Sequence, residues 1–270
     1  MKEVEPGLRK ILERMPEYRP HPRLPSDWLR WQMIERWTVL RHADLAPGMN
    51  VLEIGCGPQA IATVPLALAV GSCGRVVALD RGRWGEFHKL VEASGLQRRV
   101  IPVQEDARSL PFPDSCFDLV VCIHGARSFE SREALVAVVK EMLRVSKERI
   151  FIAESSPIAK NKAQKAHLAM YNLRRPVFLA LGRGALGDMP YFPPKEMERI
   201  AKQAGATRIS SKLIDVNMPH HLGWFPIDMI KKVKSKRVRN RLERKWKEAV
   251  NMLDQYGEEH PPVIVLNAWK

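Results

Sequence analysis

Two glycines and two carboxylates are spaced as in a nucleotide-binding loop. The run VLEIGCGPQA places Gly55 and Gly57 directly after an apolar segment, with Glu53 two residues before the first glycine. Glycines let the backbone turn sharply and approach a ligand, and the N-terminus of a following helix favours an anionic group. Asp80 ends the next apolar segment, where a carboxylate can accept hydrogen bonds from both ribose hydroxyls. This pattern alone also fits a nicotinamide dinucleotide.

The rest of the sequence predicts the scaffold that positions these residues. Short apolar runs rich in β-branched residues lie at 50–55, 75–80, 99–104, 117–123 and 149–154. Helical-length segments separate them, and runs that are apolar on both faces are typical of a parallel sheet covered on both sides. Two more strand-like segments follow at 207–216 and 261–270. We therefore predict an α/β fold with a doubly wound, mostly parallel seven-stranded sheet.

The alternation of strands and helices also predicts how the chain is divided. Residues 1–44 form a predicted N-terminal helical extension, and residues 45–270 form one large domain. Two stretches, 157–192 and 217–260, do not fit the alternation and are predicted to be insertions. They follow or separate strands at the edge where open α/β sheets bind their ligands.

Further motifs distinguish between the possible cofactors. Pro58 follows the second glycine, and the run EDARSLPFPDSCFDLVVC places an acid, a Leu-Pro-Phe segment and a Phe-Asp pair before the fourth strand. With these features the chain resembles the class I S-adenosylmethionine-dependent methyltransferases, particularly the type 11 group. The match is specific over about residues 48–155. Within that class we expect an RNA methyltransferase of the archaeal type.

The resemblance implies a cofactor, S-adenosylmethionine, and a role for each matching residue. Glu53 and the loop backbone would line its methionine part, Asp80 would hold the ribose, and Asp106 would bind the adenine amino group. The full set of expected cofactor-binding residues is Glu53, Gly55, Cys56, Gly57, Asp80, Arg81, Asp106, Ala107 and Ile123. A pocket with several carboxylates suits a sulfonium cation better than a pyrophosphate.

The candidate catalytic residues follow the fourth and fifth strands. His124 is the first residue after the fourth strand and would act as a base or hold the substrate, although its backbone alone could line the pocket. Glu154 could accept a proton from an amine. His220 and His221 are further candidates, but adjacent histidines without a nearby acid or cysteine make a poor metal site, so no metal is predicted. Cys122 falls inside a strand, which argues against a cysteine nucleophile.

Positive charge is concentrated near the end of the chain. The net charge is +14, and residues 231–247 contain ten Lys or Arg and a single acid, Glu243. A solvated helix face is the simple interpretation, but so many like charges are better placed beside a polyanion. The predicted nucleic-acid-binding residues are Lys231, Lys232, Lys234, Lys236, Arg237, Arg239, Arg241, Arg244, Lys160, Lys165, Arg174 and Arg175.

The sequence thus predicts a methyltransferase that modifies a nucleotide in rRNA or tRNA, with a base amine such as cytidine N4 as one hypothesis. One alternative is a small-molecule (quinone, lipid or metabolite) methyltransferase, which needs an enclosed apolar pocket with residues 177–186 as a lid. A second alternative is a non-catalytic nucleic-acid-binding module. We also expect a cytoplasmic monomer without membrane insertion, since no apolar run approaches the roughly 18 residues that a membrane span needs.

Overall fold

A seven-stranded sheet forms the centre of the structure, a computed structural model that describes residues 5–18, 26–82, 84–182, 192–216 and 227–270. Its strands are β1 (Asn50–Ile54), β2 (Arg75–Asp80), β3 (Val100–Gln104), β4 (Leu119–Ile123), β5 (Arg149–Ser155), β6 (Arg208–Ile214) and β7 (Val263–Trp269). The strand order is β3-β2-β1-β4-β5-β7-β6, and β7 is antiparallel to both of its neighbours. The predicted doubly wound, mostly parallel sheet is confirmed.

Helices cover both faces of the sheet. In the described part of the chain they are α1 (Pro6–Arg14), α2 (Trp28–Leu40), α3 (Thr63–Ala69), α4 (Gly85–Ser94), α5 (Arg132–Val145), α6 (Lys162–Tyr171), α7 (Arg174–Ala180), α8 (Pro194–Gln203), α9 (Ile227–Lys231) and α10 (Lys236–Tyr256). Ser131 begins α5 by accepting a hydrogen bond from the backbone N–H of Ala134, as an N-cap does. None of the described helices combines the length and apolarity needed to cross a membrane.

The two faces of the sheet have separate apolar cores. Helices α1, α2, α3 and α4 pack on one face, where Leu8 and Met33 share a cluster with Val51 and Val76. Helices α5 and α8 pack on the other face. The predicted N-terminal extension is thus packed into the main core through α1 and α2. Whether it is a separate unit, as the predicted boundary at residue 44 implies, stays a prediction.

The two predicted insertions contribute a third, smaller apolar cluster. It joins α6, α7, α9 and α10 and includes Leu168, Val177 and Leu242. The Lys162 ammonium at the start of α6 lies 4.8 Å from the centre of the Tyr256 ring at the end of α10, so these helices run antiparallel. Residues 183–191 and 217–226 of the insertions, which include His220 and His221, lie outside the described residues.

Strand order places one crevice at the edge where β1 and β4 end. The chain leaves β1 towards β2 on one side and later returns to β4 on the other side. The loops that follow these two strands therefore diverge, which is where doubly wound sheets bind ligands. Gly55 follows β1 and His124 follows β4, so the two sequence motifs meet at this point.

Candidate functional site

A cavity of about 380 Å³ opens at the carboxyl ends of β1, β2 and β4. Its size is within the range of small-molecule and cofactor sites. Eight of the nine predicted cofactor residues line it: Glu53, Gly55, Cys56, Gly57, Asp80, Arg81, Ala107 and Ile123. These residues come from β1, β2 and β4, the loops after β1 and β2, and the loop after β3, so the fold brings together residues that are far apart in the sequence.

Asp106 is the one predicted cofactor residue that does not line the cavity. The Arg108 guanidinium binds its carboxylate through two nitrogens, with Nε 3.0 Å from Oδ1 and one terminal nitrogen 2.6 Å from Oδ2. This hydrogen bonding lowers the pKa of Asp106 to about 2. The neighbouring Glu105 does line the cavity. The predicted contact between Asp106 and adenine stays a prediction.

The loop after β1 is shaped by its glycines and held by Asp80. Gly55 and Gly57 have φ angles of 71° and 67°, in the left-handed region that favours glycine. The Gly57 N–H donates to Asp80 Oδ2 over 3.0 Å. Oδ2 of Asp80 therefore fixes the loop. Asp80 also lines the cavity, and its Oδ1 can accept a hydrogen bond from a ligand hydroxyl.

Glu53 is buried at the base of the cavity. The Thr63 hydroxyl donates to its Oε2 over 2.6 Å. Burial raises the pKa of Glu53 to about 7, and the nearby charge of Asp80 adds to this effect. A cationic group of a ligand would therefore meet a carboxyl that ionises near neutral pH. The carboxyl groups of Glu53 and Asp80, together with the glycine loop, fit a cofactor that combines an amino acid, a ribose and a sulfonium.

The side chain of His124 lies between two buried carboxylates. Its Nε2 is 2.9 Å from Glu35 Oε1, and its Nδ1 is 3.3 Å from Glu154 Oε1. Glu154 also accepts a hydrogen bond from the backbone N–H of Ser155. Burial would raise the pKa of Glu154, but the charges of Arg127 and His124 outweigh it and lower that pKa to about 2. Proton abstraction by either predicted catalytic residue would require these contacts to break.

The sequence analysis did not identify three residues of this site. Glu35 and Arg36 come from α2, and Arg127 follows β4; Arg36 and Arg127 line the cavity. A signal for Glu35 exists in the sequence, because it occurs with Gln32 among apolar residues at helical spacing. That pattern indicates polar side chains on a buried helix face, but it does not reveal their partners.

The two buried thiols, Cys56 and Cys122, give no support to cysteine chemistry. Cys122 is buried within β4, and burial raises the pKa of its thiol. Cys56 lines the cavity, and burial raises the pKa of its thiol as well. A thiolate is the nucleophilic form of cysteine, and raised pKa values disfavour it.

The predicted nucleic-acid-binding residues are placed on and around α10. Nine Lys or Arg side chains between residues 231 and 247 are exposed, and Arg239 is half-buried. In the insertion after β5, Lys165 is exposed, but Lys160 is paired with Asp215 over 2.7 Å. Arg174 stacks on the ring of Tyr171, with 5.6 Å between its Cζ and the ring centre.

Comparisons with known proteins agree with this geometry. A family model described as a methyltransferase domain matches residues 51–149. The demethylmenaquinone methyltransferase of Bacillus cereus is 29% identical over 204 residues, which cover 71% of this chain and 84% of that protein. The matched family segment ends before both predicted insertions begin.

Solved structures share the fold. A cyclopropane-fatty-acyl-phospholipid synthase-like protein from Lactobacillus casei superposes with a TM-score of 0.80 at 21% identity, covering 99% of this chain and all of that one. A SAM-dependent methyltransferase from Aquifex aeolicus gives a TM-score of 0.53 at 16% identity, covering 90% of this chain and 93% of that one.

Proposed function

Since this chain is an S-adenosylmethionine-dependent methyltransferase, we propose that it transfers the methyl group to a nucleotide of RNA. The cofactor supplies an electrophilic methyl group, and the protein must bring an acceptor atom in line with it. The observation that carries the proposal is the unbalanced positive charge on the exposed face of α10. A base amine, such as N4 of cytidine, is one acceptor that this proposal includes.

The basic face has few compensating acids. In the described part of residues 231–247, ion pairs join Lys231 to Asp228 and Arg244 to Glu248, at 3.5 and 3.8 Å. The structure shows no ion pair for the other exposed cations of this stretch, which are Lys232, Lys234, Lys236, Arg237, Arg241, Lys245 and Lys247. Neighbouring like charges repel one another, and an RNA backbone would relieve that repulsion.

The orientation of α10 supports the same proposal. Its end lies against the start of α6, so its strongly basic first half extends towards and beyond the end of α6. Tyr171, the last residue of α6, has the guanidinium of Arg127 5.6 Å from its ring centre, and Arg127 lines the cavity. At 1.5 Å per residue α10 is about 31 Å long. An RNA strand on this helix would therefore pass close to the mouth of the cavity.

A small-molecule acceptor is the second candidate, and the curated relatives favour it. The Bacillus cereus relative is named as a demethylmenaquinone methyltransferase. A quinone-like acceptor needs an enclosed apolar pocket. In the described part of the insertions, the apolar side chains of α6, α7 and α10 pack against one another. Residues 183–186 of the predicted lid are outside the described residues, so the lid itself stays a prediction.

Methyl transfer from radiolabelled S-adenosylmethionine tests the two candidates side by side. The purified enzyme is incubated with rRNA, with tRNA and with an RNA-free lipid and metabolite extract. Label that appears in one RNA pool and is lost on ribonuclease treatment is the expected result. Label confined to the extract would overturn the RNA proposal and make the small-molecule methyltransferase the conclusion.

Neutralising the basic face should weaken RNA binding without affecting the cofactor site. The variant replaces four exposed residues of α10 with glutamine: Lys236, Arg237, Arg241 and Arg244. We expect an affinity for the labelled RNA at least about tenfold lower, and a log–log salt dependence reduced by about three, since each lost phosphate contact removes about 0.7–0.9 from the slope. Filter binding over a salt series measures both quantities.

A matched control carries four glutamines on other elements, namely α1, α4 and the turn after α4. It replaces the exposed cations Lys10, Arg14, Lys89 and Arg98. Both variants lose the same formal charge, so a general electrostatic effect would weaken RNA binding equally in each. Equal affinities in the two variants, or an unchanged affinity in the α10 variant, would contradict a specific role for α10.

A further inference from the structure

Carboxylates from two other elements contact the side chain of His124, and one of these elements belongs to the predicted N-terminal extension. Glu35 comes from α2 and Glu154 from β5, and the Arg127 guanidinium, from the loop that also contains His124, lies 3.5 Å from Glu154 Oε1. The side chains of Glu35 and Glu154 are 1% and 0% exposed, and that of His124 is 7% exposed. The cluster is therefore nearly closed to solvent, although His124 still lines the cofactor cavity.

Two carboxylates contact the two ring nitrogens of the His124 imidazole. A carboxylate accepts hydrogen bonds, and Glu35 and Glu154 each face one of the two ring nitrogens of His124. Burial would raise the pKa of Glu35, but the charges of Arg36 and His124 lower it below the ordinary range. Glu154 is held ionised by Arg127 and His124. These two contacts therefore hold the imidazole on both of its nitrogen edges.

His124 has a strained backbone conformation that the surrounding contacts must stabilise. Its φ angle is 53°, in the left-handed region that non-glycine residues rarely adopt. Backbone strain of this kind persists where the surrounding structure fixes it, and it is concentrated at functional sites. The His124 N–H donates to the Ala153 carbonyl over 2.8 Å, and the two carboxylates hold the side chain.

The next residue has little freedom to move. A Cβ atom on Gly125 would lie 2.9 Å from Cys122 Sγ and 3.4 Å from the Ile54 carbonyl oxygen. The loop after β4 is thus packed directly against the end of β1, and it lines the cavity through residues 123–125 and 127–129. A shift of His124 would move this wall of the cavity.

We propose that Glu35 is a positioning residue of the methyl-transfer site, which α2 supplies from outside the segment that matches the methyltransferase family. With Glu154 it holds the imidazole of His124 between two carboxylates and so fixes the loop after β4 against the cofactor cavity. Methyl transfer needs the acceptor in line with the methyl group, so a loosened loop lowers turnover more than it lowers cofactor affinity. The inference rests on methyl transfer, and not on which acceptor is used.

The test compares two acid-to-amide substitutions on the same helix. Glu35→Gln removes one carboxylate of the cluster, while Asp27→Asn changes a carboxylate that binds Trp31 Nε1 over 2.7 Å at the start of α2. Imidazole and backbone amide NMR signals are recorded for each full-length protein with S-adenosylhomocysteine at neutral pH. Signals of His124 are identified as those lost in His124→Gln. These spectra require no methyl acceptor.

We expect the same His124 ring signals, and the same amide signals of residues 125–127, in the wild type and in Asp27→Asn. In Glu35→Gln the ring signals of His124 should shift, together with the amide signals of residues 125–127. In the acceptor pool that the wild type labels, kcat should fall about tenfold while the Kd for S-adenosylhomocysteine changes less than twofold. Glu35→Ala should lower kcat further. If Glu35→Ala does not fold, the near-isosteric Glu35→Gln still allows the comparison with the wild type.

Two results would overturn the proposal. One is a set of His124 and loop signals that is the same in Glu35→Gln as in the wild type. The other is a cofactor affinity that falls by the same factor as turnover, which would make Glu35 part of cofactor binding. A failure to label RNA would leave both measurements interpretable, because the spectra and the cofactor Kd do not depend on the acceptor.

Discussion

Replacing Asp80 with asparagine is expected to lower the affinity for S-adenosylhomocysteine by on the order of 100-fold. The carboxylate fixes the glycine loop by accepting the Gly57 N–H over 3.0 Å, and it lines the cavity where the ribose is proposed to bind. Asparagine keeps one acceptor oxygen but loses the charge and the other acceptor, and a hydrogen bond to a charged group contributes about 1.5–3 kcal/mol, which accounts for the factor. Isothermal titration calorimetry measures the change.

Asp118→Asn is the matched control for this prediction. Asp118 accepts from the Asn50 N–H over 2.7 Å and from Lys147 over 2.6 Å, at the amino ends of β1 and β4. The same chemical change at the opposite edge of the sheet should leave cofactor affinity within about twofold of the wild type. If Asp80→Asn bound the cofactor as tightly as Asp118→Asn, the proposed ribose contact would be wrong.

Glu53 should make cofactor binding depend on pH near neutrality. Burial raises its pKa to about 7 in the free protein, so it is mostly protonated below that value. A cationic ammonium or sulfonium group bound beside it favours the ionised form. Affinity should therefore increase as the pH rises from 5.5 to 8, and binding near pH 6 should release close to one proton. Titrations in buffers of different ionisation enthalpy detect that release.

Glu53→Gln separates this titration from other effects of pH. The amide cannot ionise, so the proton release should disappear, and affinity at pH 8 should fall on the order of 100-fold because the buried counter-charge is lost. A variant that keeps the wild-type pH profile would show that another group titrates. The expected profile depends on the position of the cationic part of the cofactor, which the sequence resemblance places beside Glu53.

The stability of the ligand-free protein provides an independent check on the same group. The folded-state pKa of Glu53 is raised above the ordinary value of 4.5, so the folded protein binds more protons than the unfolded chain between about pH 4.5 and 7. The free energy of unfolding should fall as the pH rises through this window, by about 3 kcal/mol from this residue. Urea denaturation of the wild type and Glu53→Gln at pH 5 and 8 measures the difference.

Local patterns in the sequence were sufficient for the secondary structure of the sheet. Apolar runs predicted β1 at 50–55 and β4 at 117–123, and the strands are Asn50–Ile54 and Leu119–Ile123. A parallel strand buried on both faces is almost continuously apolar, so a few adjacent residues are enough to predict it. The last strand begins at Val263 and not at 261, because Pro261 and Pro262 lack the N–H that a strand in the sheet needs.

The sequence by itself determined the fold class and the glycine loop, and it predicted eight residues that line the cavity, since these depend on motifs whose members are close together or end successive strands. Only the tertiary structure decided the surroundings of His124. Glu35 is 89 positions away in the sequence, and its contact depends on how α2 packs on the sheet. No local pattern encodes such a contact, because it arises from the burial of a whole helix face. For the same reason His124 is a candidate base in the sequence, whereas the structure encloses its side chain between two carboxylates.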